Sequence, residues 1–168
     1  ESTLQGALEE ALQALNEFRQ REGAAIASGM RASCEAIQGH VARMEEIRAR
    51  ALPLFEARLR ERLAQLLAGA PLEPQRLAQE AAFLADRSDI SEELTRLRVH
   101  TGELGELLEA GGEIGKKLDF LLQEMQRETN TVLSKAAGAG EAGLAVTELA
   151  LRTRSEIERV REQAGNLE

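Results

Sequence analysis

From Ile26 onward the chain returns an apolar or small residue, and once a histidine, at alternating intervals of four and three: Met30, Ser33, Ile37, His40, Met44, Ile47, Ala51 and Leu54. That interval is the signature of a heptad and brings each of these side chains to one side of a helix. A strand cannot use it, because strand side chains alternate with a period of two. A long helix with an apolar seam is therefore predicted, and a seam of this length needs other helices to cover it. His40 falls in the seam between Ile37 and Met44, which predicts a satisfied, half-buried core histidine rather than a ligand. Met30 and Met44 read as core filling.

The same logic runs in both directions. Leu4, Leu8, Leu12, Leu15 and Phe18 predict an amphipathic helix from about Thr3 to Arg21, which Gly23 and Gly29 weaken without stopping. Pro53 is placed to kink or break the rod. Leu59, Leu63 and Leu66 carry it to a stop at Ala68–Gly69, and Pro71 and Pro74 mark a loop and a new start. Further helices are predicted over 75–86, from Asp89 to about Ala110, over 115–135, and through Val146, Leu149, Thr153, Ile157, Val160 and Ala164. Gly111–Gly112 and Gly138–Gly140 separate the last three. Asp89 with Glu92 three residues on has the form of an N-terminal cap. Aromatic residues make up 2% of the chain and prolines number three, which suits helices throughout. The predicted fold is all-α: a long, coiled-coil-like N-terminal arm over 1–70 and a helical bundle over 71–168.

The formal net charge is −8, which does not advertise nucleic-acid binding, since phosphate contacts need Lys and Arg. The charge is uneven, however. The segment 113–136 balances Glu113, Asp119, Glu124 and Glu128 against Lys116, Lys117, Arg127 and Lys135. Cys34 is the single cysteine, so a disulfide framework and a cysteine zinc site are both excluded, and a reducing, cytoplasmic setting is expected. No apolar run approaches the length of a membrane span, and no signal peptide is visible. The chain begins at Glu1 inside a helical pattern and reads as a piece of a longer protein.

Two polar stripes stand out. On the 115–135 helix, Glu124, Glu128, Thr131 and Lys135 stack on one side, beside the apolar run Leu118, Leu121, Leu122, Met125 and Val132. Arg127, Asn130 and Ser134 flank them. A solvated face accounts for charged residues here, but Glu124 and Glu128 repel at i,i+4, and Asn130 and Thr131 are poor interior helix residues. On the preceding helix Asp89, Glu93, Arg96 and His100 form a second stripe. Capping explains Asp89 and Glu92 but not His100. Joined by a tight turn, the two helices can pack antiparallel and bring their stripes together. Histidine titrates near neutral pH and can act as base, acid or ligand, and carboxylates suit Mg²⁺ or Mn²⁺.

At these residues the chain resembles the YicC/YloC-like endoribonuclease family. The blocks that carry the resemblance are ADRSDISEELTRLRVH (85–100), GKKLDFLLQEMQRETNTVLSKA (115–136) and IERVREQAGNLE (157–168), with weaker agreement reaching back to FRQREG (18–23). Val99, Gln126 and Gly165 depart from the family's usual Ser, Asn and Gln. The resemblance implies metal-dependent endonucleolytic cleavage of RNA, a multimeric assembly that is hexameric in the full-length form, and an N-terminal domain that this chain does not contain.

With the resemblance in view, cleavage of an RNA phosphodiester is expected. His100 or a carboxylate would deprotonate the attacking water or 2′-hydroxyl. Arg96, Arg127 and Lys135 would neutralise charge on the phosphoryl oxygens. The catalytic candidates are Glu93, His100, Glu124, Arg127, Glu128 and Lys135. Candidates for RNA contact are Arg96, Lys116, Lys117, Asn130 and Thr131, and for a divalent metal, Mg or Mn, Asp89, Glu93, Glu124 and Glu128. Phe18, Phe55, Phe83 and Phe120 are the only aromatic residues, so base stacking is expected to contribute little. The rival reading is a coiled-coil assembly module without chemistry of its own. Both readings expect a homo-oligomer.

Overall fold

A computed structural model describes residues 2–66, 75, 79, 89–112, 114–136 and 140–165. Helix α1 spans Ser2–Leu66, α2 Ser91–Ala110, α3 Gly115–Ala136 and α4 Gly140–Gly165, and the described residues contain no strand. The all-α expectation holds. Helix α1 is one element of 65 residues that continues through Pro53. The side chains of Leu54, Leu59, Leu63 and Leu66 lie outside the described residues. So do the expected stop at Ala68–Gly69, Pro71, Pro74, most of the expected 75–86 helix, Phe55 and Phe83.

Each helix packs against two others, in the ring order α1, α2, α3, α4 and back to α1. Neighbours run antiparallel. Ser33 of α1 meets Glu156 of α4, and Arg48 of α1 meets Asp89 before α2. The α2–α3 connection is short because Gly111 and Gly112 adopt positive φ, 63° and 80°, which L side chains rarely take. Gly111 N–H closes the end of α2 on the Leu107 carbonyl at 3.1 Å.

The core is a single cluster drawn from all four helices. Met30, Ile37, Val41 and Met44 of α1 pack with Leu94, Leu97 and Leu104 of α2, Leu118, Leu122, Met125 and Val132 of α3, and Ala150, Ile157 and Val160 of α4. The core therefore draws on both sides of residue 70: the middle of α1 is one of the four bundle helices, while its N-terminal part projects with an exposed surface. His40 is half-buried, as expected, with Nδ1 3.5 Å from the Thr153 hydroxyl. Thr101, Thr129 and Thr153 sit in the core although threonine is a poor helix former. Each hydroxyl donates to the carbonyl four residues earlier, which satisfies the buried group.

Candidate functional site

Helices α2 and α3 form an antiparallel hairpin, and its seam gathers most of both polar stripes. At the open end of the hairpin, Lys135 Nζ donates to Glu93 Oε1 at 2.7 Å and to the Asp89 carbonyl at 2.9 Å. Further along, Arg96 Nη1 donates to Glu128 Oε1 at 3.1 Å, and its other terminal nitrogen pairs with Glu92. The register set by these pairs puts His100 level with Glu124. His100 is half-buried, and its Nδ1 lies 3.3 Å from Glu103 Oε2.

Burial separates these groups from a solvated face. Glu128 is 3% exposed and Glu93 7% exposed. A carboxylate at such a position is costly unless paired, and here each faces a cation. Glu93 is only half satisfied, since its Oε2 is buried without a hydrogen-bond partner. Charge-assisted hydrogen bonding to Glu128 pushes the Arg96 guanidinium further above its already high pKa.

Asp89 ties the seam to α1. Its Oδ1 accepts from Arg48 Nε at 2.7 Å and from the Ser91 N–H at 3.1 Å, and its Oδ2 accepts from the Ser91 hydroxyl at 2.6 Å. Partial burial raises the Asp89 pKa, but hydrogen bonds from Arg48 and Ser91 outweigh it and hold the carboxyl below its ordinary 3.8. The capping expectation is met in modified form. Asp89 holds the first N–H of α2 from one residue before Ile90, while Glu92 turns to Arg96 instead of back toward the cap. Arg48, the long-range partner, carries no signal of its role in the sequence; it lies in the heptad helix among ordinary surface arginines.

The remaining candidates lie elsewhere on α3. Lys116 and Lys117 are exposed in its first turn, at the opposite end from Lys135. Arg127 is exposed and only loosely associated with Glu124, at 3.9 Å. Asn130 is exposed, and the Thr131 hydroxyl donates to the Arg127 carbonyl at 3.2 Å. Gln123, Gln126, Arg127, Asn130, Thr131 and Ser134 line a shallow, open depression of about 530 Å³ on the outside of the helix. Two interhelical contacts beyond the candidate set brace α3 against α4: Gln126 donates to Glu158 at 2.6 Å and accepts from Arg161 at 2.9 Å.

The expected metal ligands do not converge. Among the described residues no three His, Cys, Asp or Glu side chains come together as a cation site. The physical reason is visible in the pairs. Asp89 is held by Arg48, Glu93 by Lys135 and Glu128 by Arg96, so three of the four already have a close counter-charge; Glu124 is only loosely paired with Arg127 at 3.9 Å. The donor set of the described residues does not fit a dedicated divalent-cation cage. None of the described helices is long and apolar enough to cross a membrane.

Comparison with known proteins bears on this seam. A family model described as endoribonuclease YicC-like, C-terminal, matches residues 44–168, which include α2, α3 and α4. A Clostridioides difficile protein named probable endoribonuclease YicC is 36% identical over 168 residues, covering 99% of this chain and 56% of that protein. A Haemophilus influenzae protein of the same name is 45% identical over 111 residues, covering 65% of this chain and 37% of its own length. The chain thus spans about half, or less, of the length of these relatives. The match takes in both stripes and the hairpin that joins them, and the chain belongs to the YicC-like endoribonuclease family.

Proposed function

We propose that this chain is the helical part of an endoribonuclease and that the α2–α3 seam takes part in cleaving an RNA phosphodiester. The observation that carries the reading is the seam itself. A half-buried histidine, a guanidinium and an ammonium lie on the α2–α3 hairpin, and the two cations are held by buried carboxylates. The family and the names of its relatives support the reaction class.

The chemistry follows from the positions. In the tautomer that donates Nδ1–H to Glu103, the other ring nitrogen of His100 is the acceptor for the proton of a 2′-hydroxyl or water. Glu124, level with it, is the alternative base. In this reading Arg96 and Lys135 would share their hydrogen bonds with phosphoryl oxygens as negative charge develops there. Buried carboxylates at Glu93 and Glu128 keep those cations in place before substrate arrives. Mg²⁺ or Mn²⁺ would add Lewis-acid stabilisation of the phosphate, and such ions commonly use one or two carboxylates together with substrate phosphates.

The test compares variants in a longer protein that contains this chain, using a labelled RNA. His100→Ala is expected to lower the cleavage rate roughly 10²-fold, with helicity unchanged. Glu128→Gln should lower it as well, and Lys117→Ala should alter RNA affinity more than rate. Cleavage within about twofold of the parent for both His100→Ala and Glu128→Gln would remove the seam from the chemistry, since an acid–base group contributes far more.

A second reading, an assembly module, is favoured by the projecting part of α1. Leu4, Leu8, Leu12, Leu15 and Phe18 form an apolar stripe that is 51–79% exposed. A stripe of that kind suits a homo-oligomer, and the two readings coexist if assembly completes the seam.

A further inference from the structure

The outside of α3 differs from the outside of the other helices. Along its outward line lie Lys116, Phe120, Gln123, Arg127, Asn130 and Ser134, spaced four, three, four, three and four, and all are exposed. None of the six is a carboxylate. The outward faces of α2 and α4 instead mix both signs: exposed Glu92, Glu103, Glu106 and Glu109 with Arg98, and Glu141, Glu148 and Glu162 with Arg152, Arg154 and Arg159. In a chain of net charge −8, a line with two cations, no acid and three neutral hydrogen-bonding side chains is a local reversal of the field. Two carboxylates border the line: Asp119, engaged by the Gln123 amide at 2.6 Å, and Glu124, loosely paired with Arg127 at 3.9 Å.

Phe120 sits on this line and is 60% exposed. A single exposed aromatic is ordinary on a protein surface. This one lies one turn from Lys116 on one side and beside Gln123 on the other. The open depression lined by Gln123, Arg127, Asn130 and Ser134 begins next to it. Cations spaced along a track, amides and hydroxyls between them, and one uncovered ring are what a single-stranded nucleic acid needs: phosphate contacts, sugar and base-edge contacts, and a stacking platform. A duplex offers no free base face to a side chain on a convex helix, so the ring selects for unpaired substrate.

We infer that the outward face of α3 is a single-stranded RNA track, with Phe120 stacking on an unpaired base and Lys116 and Arg127 holding phosphates on either side of it. The inference rests on the RNA-cleavage reading for the identity of the nucleic acid, but it concerns a different face of the helix from the seam. It also assigns a stacking role to an aromatic residue in a chain where stacking was expected to matter little.

The experiment uses the whole chain, which contains no tryptophan or tyrosine. Phe120→Trp therefore installs a single reporter. Binding of a dye-labelled, short oligoadenylate is followed by anisotropy, and the tryptophan emission is followed with unlabelled RNA. The expected result is a quenched tryptophan with affinity preserved. Phe120→Ala should weaken binding by roughly 5- to 150-fold, the range for losing one stacked base. Arg127→Ala should reduce the salt dependence by about one phosphate contact. The same oligonucleotide hybridised into a duplex should bind more weakly than the single strand. Parent binding that Phe120→Ala leaves within about twofold, well below the loss of a stacked base, with no change in tryptophan emission, overturns the track and leaves the cleavage reading standing. Loss of cleavage activity as a property of the longer protein, with Phe120-dependent binding intact, overturns the cleavage reading and leaves the track. A parent chain that binds no RNA overturns the track and leaves the cleavage reading to its own test in the longer protein. If Phe120→Ala changes the molecular mass in light scattering instead of RNA affinity, the face is a contact between copies and the track is wrong.

Discussion

Lys135, in the last turn of α3, reaches Glu93, in the first turn of α2, at 2.7 Å, and Glu93 keeps its second oxygen buried without a partner. The pair closes the open end of the hairpin, and it is asymmetric. The ammonium is partly solvated and has two acceptors, while the carboxylate is enclosed and depends on the ammonium alone.

That asymmetry predicts unequal variants. Lys135→Met leaves a buried, uncompensated carboxylate and is expected to destabilise the chain by about 3 kcal/mol, near the lower end for breaking a buried pair. Adding Glu93→Gln should restore most of it, because the charge is then gone. Urea denaturation of the parent, the single variants and the double variant measures the coupling. Additive losses would mean that the two side chains do not act as a pair.

Asp89 sets an acid limit on stability. Its pKa is lower in the folded chain than its ordinary 3.8. A carboxyl with a depressed folded pKa contributes stability that is fully present above the unfolded value and is lost as pH falls through the folded one. Thermal melts from about pH 5 downward should therefore show the parent losing stability more steeply than Asp89→Asn once the pH is below the unfolded carboxylate range near 3.9. Parallel curves would exclude Asp89 as a contributor.

Cys34 is buried, and burial, followed by the nearby Glu35 charge, pushes its thiol up to about 11. The nucleophile is the thiolate, so the native thiol should react with a disulfide reagent at neutral pH many times more slowly than the urea-unfolded chain. Equal rates in the two states would place Cys34 at the surface.

The exposed stripe on α1 gives a separate prediction. Replacing both Leu8 and Leu15 with Glu should lower the mass of any oligomer seen by light scattering, with the bundle's melting temperature unchanged, because neither residue touches the core. A mass that does not respond would move the assembly surface off this stripe.

The heptad seam of α1 and the 3.6-residue face of α3 were legible in the sequence because each is a local period that helical geometry converts directly into a buried side. The hairpin was legible for the same reason, with Gly111 and Gly112 marking its turn. The partners of the polar residues were not. Arg48 meets Asp89 across 41 residues of chain, and Gln126 meets Arg161 across 35. Such contacts depend on the rotation and axial offset of one helix against another, which packing sets and no single-helix period records. The metal expectation shows the other side of this. Spacing put carboxylates on the stripes, but not the cations that packing brings to each of them.

The ring order of the helices has a consequence for how the molecule reaches its folded state. Helices α2, α3 and α4 are joined by short connections, so their mutual contacts form with little loop closure. They still leave a gap along one side. The filler is the middle of α1, whose Ser33 hydroxyl reaches Glu156 from 123 residues away. That closure is the long-range step, and long-range steps are the slow ones. Until it happens, Leu94, Leu97, Ile157 and Val160 lack the cover of Met30, Ile37 and Met44. The arrival of this strut from far upstream is therefore the expected late event in folding, and sequence changes in residues 26–48 should register first as slower refolding.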